Sequence, residues 1–283
     1  DAEVKSTASC LHWTGLADIR GIPRRHQCVV GILKTEEKNM REEWIKTLQE
    51  KAQNLEIQGK KGQIEVTREQ GEKLYRYMEL LLEWNEKMNL TALTDPGDIL
   101  SKHFLDSMAG LHFLSDGLLG DVGTGAGFPG LVLKIMEPER PVILMDALQK
   151  RLTFLQAVCQ DLGISTISIE HERAEEAGQK ETYRGKWNAV VSRAVAPLPI
   201  LLEYCIPLLK EGGIFLAYKG PGLSQELEDS SRALSLLGCE VENVYKVSLQ
   251  EEGWEHQIGC IRKVKPTPAT YPRKQAKIKK SPL

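Results

Sequence analysis

Between Asp121 and Gly130 the chain reads Asp-Val-Gly-Thr-Gly-Ala-Gly-Phe-Pro-Gly, four glycines in ten residues just past the apolar Leu118-Leu119. An apolar run, alternating glycines and then Leu131-Val132-Leu133-Lys134-Ile135 predict strand, tight loop and helix. Such glycines let the backbone turn at positive φ and let a ligand lie against bare main chain, while the new helix points free N–H groups at it. Read from Gly125, the residues satisfy G-x-G-x-x-G, a dinucleotide pattern that is weak alone; read from Asp121, they satisfy acid-x-G-x-G-x-G. The two readings ask for different chemistry. A dinucleotide sets its pyrophosphate on the helix N-terminus, whereas a carboxylate at Asp121 suits a ligand with a cationic end and sits poorly beside pyrophosphate.

The second spacing resembles the loop of Rossmann-like methyltransferases that use S-adenosylmethionine, a donor with a sulfonium and no phosphate. In such a sheet the ligand lies over the carboxyl ends of the strands, so the informative residues are those just past each strand. Asp146 stands 23 positions from Gly123, where an acid accepts the ribose hydroxyls of an adenosine; it equally suits the N-cap of a helix from Leu148, and the roles can coexist. Arg173-Ala174-Glu175-Glu176 falls where an adenine would sit, Ala174 offering a backbone N–H and Glu175 either facing the exocyclic amine or capping a helix. Arg193 lies beside the transferable methyl, and a buried arginine must be paired, with ligand, substrate or a structural carboxylate.

The elements that position these residues alternate. Strands are expected at about 118–122, 141–146, 166–170, 187–192 and 213–218, with helices at about 129–136, 148–162, 174–180, 198–209 and 223–237. That order demands a parallel sheet with helices on both faces. Two more strands, about 240–247 and 256–262, leave no room for a helix between them and should pair antiparallel. Upstream, Thr67-Arg-Glu-Gln70 is a capping box opening an amphipathic helix through Leu74, Tyr77, Met78, Leu81, Leu82 and Met88; Asp95-Pro96 caps another carrying His103. The expected fold is α/β: a seven-stranded, mostly parallel sheet with an antiparallel C-terminal hairpin, preceded by a helical segment. The expected division is residues 1–39, a poorly packed extension; 40–115, helical; 116–263, the Rossmann-like domain; and 264–283, a basic tail. The first methionine is Met40, and the functional polypeptide is expected to begin near it.

Six motifs then stand together: Trp84-Asn85-Glu86-Lys87-Met88-Asn89-Leu90-Thr91-Ala92, Lys102-His103-Phe104-Leu105-Asp106-Ser107, Asp121 to Gly130, Lys150-Arg151-Leu152-Thr153-Phe154-Leu155, Ser192 to Leu198, and Tyr271-Pro272-Arg273-Lys274. In this order they resemble the RsmG (GidB) family, bacterial 16S ribosomal RNA guanine-N7 methyltransferases, from about Trp44 to the C-terminus. The resemblance implies S-adenosyl-L-methionine as cofactor, held by Gly123, Gly125, Phe128, Asp146, Ala174, Glu175 and Arg193. It implies that Asn89, Lys102, His103 and Asp106 face the same cleft, with Arg193, His103 and Asn89 as the catalytic set. Without it, His103 reads equally well as a satisfied helix residue. It further implies 16S ribosomal RNA or the assembling small subunit as partner; a monomeric protein in the cytoplasm is expected.

Composition sets the frame. At 283 residues, 41% hydrophobic and 27% charged, the chain is of ordinary globular make-up. Its net charge of −2 advertises no nucleic acid, but Ile261 to Leu283 holds eight Lys or Arg and no Asp or Glu, leaving −10 before it. Arg262, Lys263, Lys265, Arg273, Lys274, Lys277, Lys279 and Lys280 are expected to supply sequence-blind phosphate contacts, unless they are simply solvated. Six scattered cysteines without a C-x-x-C pair point to reduced core residues rather than disulfides or a metal site, and no metal is expected. No run reaches the apolar length of a membrane span. An NAD-dependent oxidoreductase, a methyltransferase for another substrate and a noncatalytic RNA-binding factor are the competing readings.

Overall fold

The computed structural model describes residues 24–60, 63–249 and 254–283. Residues 1–23 of the expected extension lie outside it. From Arg24 the chain is helical, through α1 (Arg24–Gln53), and its contacts divide it after Glu43. From Trp44 the buried positions of α1, Ile45, Leu48 and Ala52, recur at helical spacing, which is why this part of the helix holds a core face.

A two-residue strand, β1 (Glu56–Ile57), follows; two residues carry no periodicity, so the segment expected to be wholly helical hides an edge strand. α2 (Arg68–Met88) opens at the expected capping box, Thr67 accepting from Gln70 N while Gln70 reaches back to Thr67 N. Asp95 caps α3 (Pro96–Ile99), accepting from Gly97 N and Asp98 N. The helix then widens into a π-turn at Leu100–Leu105, returns as α4 (Asp106–Met108) and closes as a 3-10 turn at Ala109–Phe113.

β2 (Leu119–Val122), β3 (Val142–Asp146), β4 (Ile167–His171), β5 (Trp187–Arg193) and β6 (Leu209–Lys219) are parallel, and β7 (Cys239–Leu249) and β8 (Trp254–Lys263) form the expected antiparallel hairpin. The sheet order is β1-β7-β8-β6-β5-β2-β3-β4. Between them run α5 (Gly130–Met136), α6 (Gln149–Asp161), α7 (Ala174–Ala177), α8 (Leu198–Cys205), α9 (Leu223–Asp229) and α10 (Ser231–Leu237), with α11 (Gln275–Lys280) last. The helix expected over 223–237 is two helices broken at buried Ser230. Side chains of β6 alternate between two cores: Ile214, Leu216 and Tyr218 join α2, α5 and α6 on one face, while Phe215 and Ala217 join α8 and α10 on the other. The strand order reverses between β2 and β5, so a crevice opens there above their carboxyl ends.

The C-terminal tail is packed. Ile278 is fully buried, Lys263 is buried with its ammonium on Ile206 O and Leu209 O, and Arg262 forks onto Glu242. Arg273 grips the fully buried Glu203 of α8 through Nε and Nη2 while its own backbone N–H donates to Glu203 Oε1 at 2.7 Å. Three of the eight cations expected to meet phosphate are therefore engaged by partners within the chain, because carboxylates and carbonyls remote in sequence claim them. The four cysteines whose surroundings are described, Cys159, Cys205, Cys239 and Cys260, are buried and free. Among the described residues no helix is long and apolar enough to cross a membrane.

Removing one partner of a buried pair leaves an uncompensated charge. Arg273→Ala is expected to cost about 3–5 kcal/mol in urea unfolding, against under about 1 kcal/mol for Arg262→Ala at its exposed pair. Equal small losses would show that Glu203 finds water or another donor.

Candidate active site

The glycine loop after β2 is held from below. Asp121 is fully buried, and its Oδ2 accepts from Thr124 Oγ1 at 2.7 Å and from Gly130 N at 2.8 Å. Burial pushes its carboxyl up to about 6, offset by those donors. The acid expected to face a cationic ligand thus lies under the loop and clamps it. The expectation of free N–H groups is corrected as well. Gly123 N and Thr124 N go to Met145 O, Gly125 N to Asp146, Gly127 N and Phe128 N to Thr124 O, Gly130 N to Asp121 and Leu131 N to Gly127 O. A loop whose donors are consumed internally has little left for pyrophosphate, which argues against the dinucleotide reading on geometry.

What the loop does offer is space. Gly125, at φ 61°, has nothing nearer to a Cβ than a backbone oxygen at 3.9 Å, so its missing side chain leaves the cavity wall open. Gly123, at φ 71°, would drive a Cβ to 2.5 Å from Val195 Cγ2. Val195 is brought there by Ala194, a non-glycine residue held at φ 57° just past β5, the kind of strained backbone that clusters at functional sites. From the other side Tyr77 of α2 donates to Ala126 O and stacks on Phe128, ring centroids 5.3 Å apart.

The cavity above holds about 520 Å³, in the range of small-ligand sites. Gly123, Gly125, Phe128, Asp146, Ala174, Glu175, Arg193 and His103 all line it, so eight of the nine residues in the expected site meet in one place. Asn89 does not. It is exposed and forms the left-handed C-cap of α2 at φ 49°, turning the chain so that Leu90 and Thr91 enter the wall instead. Lys102 points its ammonium at Asp98 and contributes only its carbonyl, and Asp106 is buried one layer behind. Gln275 and Lys279 of α11 also line the cavity, so part of the basic tail reaches the site.

Asp146 is not the N-cap of α6, which is Leu148, but it fixes the turn that leads into that helix. Its Oδ1 accepts from Leu148 N at 2.8 Å, and its Oδ2 from Gly125 N at 3.0 Å and Arg151 Nη1 at 3.2 Å. A carboxylate has about four lone-pair positions, so one stays open, and a second opens if the half-exposed Arg151 swings aside. Glu175 is buried, and its Oε1 has no hydrogen-bond partner among the described residues, with the Arg173 guanidinium at 3.9 Å. An orphaned acceptor, an open glycine cradle and spare carboxylate capacity fit an adenosyl group: amine on Glu175, ribose on Asp146, chain over Gly125.

At the opposite end Arg193 ties three elements together. Its Nη1 donates to Asp106 Oδ2 at 2.6 Å and to Lys102 O at 3.1 Å, its Nη2 donates to His103 Nδ1 at 3.2 Å, and its guanidinium lies 5.2 Å from the Phe128 ring centre. The π-turn presents His103, Asp106 and the Lys102 carbonyl side by side, in keeping with the use of such turns at functional sites. Burial alone would raise Asp106, yet the hydrogen bond from His256 and the nearby Arg193 hold it below the usual carboxylate range. His256 of β8 donates its Nδ1 proton to Asp106 Oδ1 at 2.9 Å and is itself raised by that contact. Sequence reasoning missed His256: a lone histidine in an apolar strand carries no signal.

His103 stacks on Phe128, centroids 4.4 Å apart, and its Nε2 lies 2.8 Å from Thr91 Oγ1. Burial, helped by the Arg193 charge, lowers its pKa to about 4.

A parallel sheet in this order, closed by an antiparallel hairpin and carrying a glycine loop, a strand-end acid and a cleft at the switch point, is a Rossmann-like (class I) methyltransferase fold. A family model described as rRNA small subunit methyltransferase G matches residues 70–255. Proteins named Ribosomal RNA small subunit methyltransferase G are 44% identical over 239 residues in Alkaliphilus oremlandii (83% of this chain, 97% of that one) and 46% identical over 220 residues in Desulfitobacterium hafniense (78% and 92%). A third, from Listeria monocytogenes, is 43% identical over 223 residues (78% and 94%). The chain belongs to the rRNA small subunit methyltransferase G family.

Because His103 is depressed, it stays neutral until the pH falls through about 4; protonation would put a proton on Nδ1 facing the Arg193 guanidinium. Its NMR titration is expected near that value, and Arg193→Met should move it upward by removing one of the depressing charges. A wild-type midpoint above 6 would contradict the buried neutral imidazole.

Proposed function

We propose that this protein transfers a methyl group from S-adenosyl-L-methionine to N7 of a guanine in 16S ribosomal RNA, acting in the cytoplasm on the small subunit or its assembling precursor. The relatives' names support the substrate class, and the cleft supports the donor: one cavity joins an orphaned Glu175 oxygen and Asp146 at one end to Arg193 and His103 at the other. That continuity is the observation on which the reading rests.

The bound donor supplies a methyl carried on a sulfonium sulfur, and guanine N7, with an in-plane lone pair and no proton to lose, takes it without a general base. The protein's part is alignment and electrostatics. Asp146 and Glu175 hold the nucleoside end, and the glycine loop admits the donor against bare backbone. Arg193 serves as catalytic residue at the reacting end, its guanidinium kept in place by Asp106 and Lys102 O and available to the donor's carboxylate. His103 stays neutral beside the base, which becomes cationic on methylation, and so adds no repelling charge. Asn89 acts by turning the chain into the wall. The exposed Lys265, Lys274, Lys277, Lys279 and Lys280 are the cations left for RNA phosphates.

The test is transfer of labelled methyl to small-subunit RNA from a strain lacking its own enzyme. Label should appear at one guanine and make that site cleavable by reduction and aniline, the signature of an N7 methyl. Arg193→Ala should lower the rate about 10²–10³-fold, the scale for losing one positioned charge. Label on a base atom other than N7, or an unchanged rate in the variant, would refute the reading.

A further inference from the structure

The hydrogen-bond order around His103 determines what Thr91 can do. A guanidinium has only protons to offer, so His103 Nδ1, 3.2 Å from Arg193 Nη2, must be the acceptor. The imidazole is neutral, hence its proton sits on Nε2 and is donated to Thr91 Oγ1 at 2.8 Å. Thr91 Oγ1 also accepts from Leu93 N at 3.1 Å. A hydroxyl has two lone pairs and one proton, so both acceptor positions are filled and only the proton remains. Neither neighbour can accept it, and no acceptor for it occurs among the described residues. Thr91 lines the cavity together with Leu90 and His103. Its backbone is fixed too, since Thr91 N donates to Asn85 Oδ1 at 2.9 Å. Thr91 is therefore left with one proton to donate, at the end of the cavity where the guanine-N7 reading puts the base.

The purines differ at this point. Beside N7, guanine carries the acceptor O6, whereas adenine carries the donor N6 amine. We propose that Thr91 selects the base: its hydroxyl donates to O6 of the guanine whose N7 takes the methyl, and the Arg193–His103 pair exists in part to hold that hydroxyl in the donor-only state. An adenine would set N–H against O–H and leave both unpaired. This inference rests on the guanine-N7 reading of the site.

The experiment uses the full chain and small-subunit RNA carrying either guanosine or 2,6-diaminopurine riboside at the position that the wild-type protein labels. The analogue keeps N7 and replaces O6 by an amine. Wild type is expected to prefer guanosine by about tenfold to a hundredfold in kcat/KM, the span for leaving a buried donor unpaired. Thr91→Val should bring the two bases to within about twofold by slowing guanosine, with donor affinity retained, and Thr91→Ser should keep the preference. Where the valine variant does not fold, Thr91→Ser against Thr91→Cys gives the same contrast between a full and a weak O–H or S–H donor. Equal slowing of both bases in Thr91→Val, or a preference that survives it, overturns the proposal while N7 labelling by wild type leaves the function reading intact. Wild-type label on another atom overturns both.

Discussion

One guanidinium organises one end of the cavity in this protein. Arg193 ends a central strand, yet it is satisfied by groups from the helical segment: a carboxylate, a carbonyl and an imidazole. Taking an arginine this far from water is costly, and it is tolerated because Asp106, itself fully buried, carries the opposite charge at hydrogen-bond distance. His256 then completes Asp106 from the C-terminal hairpin. The consequence is that β5, the π-turn and β8 are fixed relative to one another by charge as well as by apolar packing. The histidine orientation, the Thr91 proton and the stacking on Phe128 all follow from where that guanidinium sits.

The other end depends on a different economy. The loop donors are consumed by Met145 O, Asp146, Thr124 O and Asp121, so the glycines act as a shaped gap rather than an anion nest. A gap of this kind suits a ligand whose charges lie elsewhere and whose recognition falls to side chains beyond the strands. Asp146 and Glu175 retain acceptor capacity there, and at a cavity wall such capacity is available to a ligand's donors.

Much of this was legible in the sequence, because it depends on local rules. The capping box at Thr67, the proline-started helix at Asp95, the parallel strands and the final hairpin each follow from spacing, and the residues past each strand do converge. What failed depends on distance in sequence or on geometry without a pattern. Arg273 finds Glu203 seventy residues away, so a basic tail became a packed one. Asp121 reads as a ligand contact until its two donors are seen beneath the loop. The π-turn that aims His103 has the same residue pattern as an ordinary helix, and β1 is too short to show a period. Asn89 was placed by resemblance; its left-handed backbone at a helix end is what the sequence position serves in this fold.

The central claim is that the cleft over Gly125 receives the adenosyl donor, and calorimetric titration with S-adenosylhomocysteine tests it most directly, wild type beside Gly125→Val. The account predicts one site in the wild type and at least a hundredfold weaker binding, about 3 kcal/mol, in a variant that still melts cooperatively. Undiminished binding by Gly125→Val, or tighter binding of NADH than of S-adenosylhomocysteine by the wild type, would contradict it.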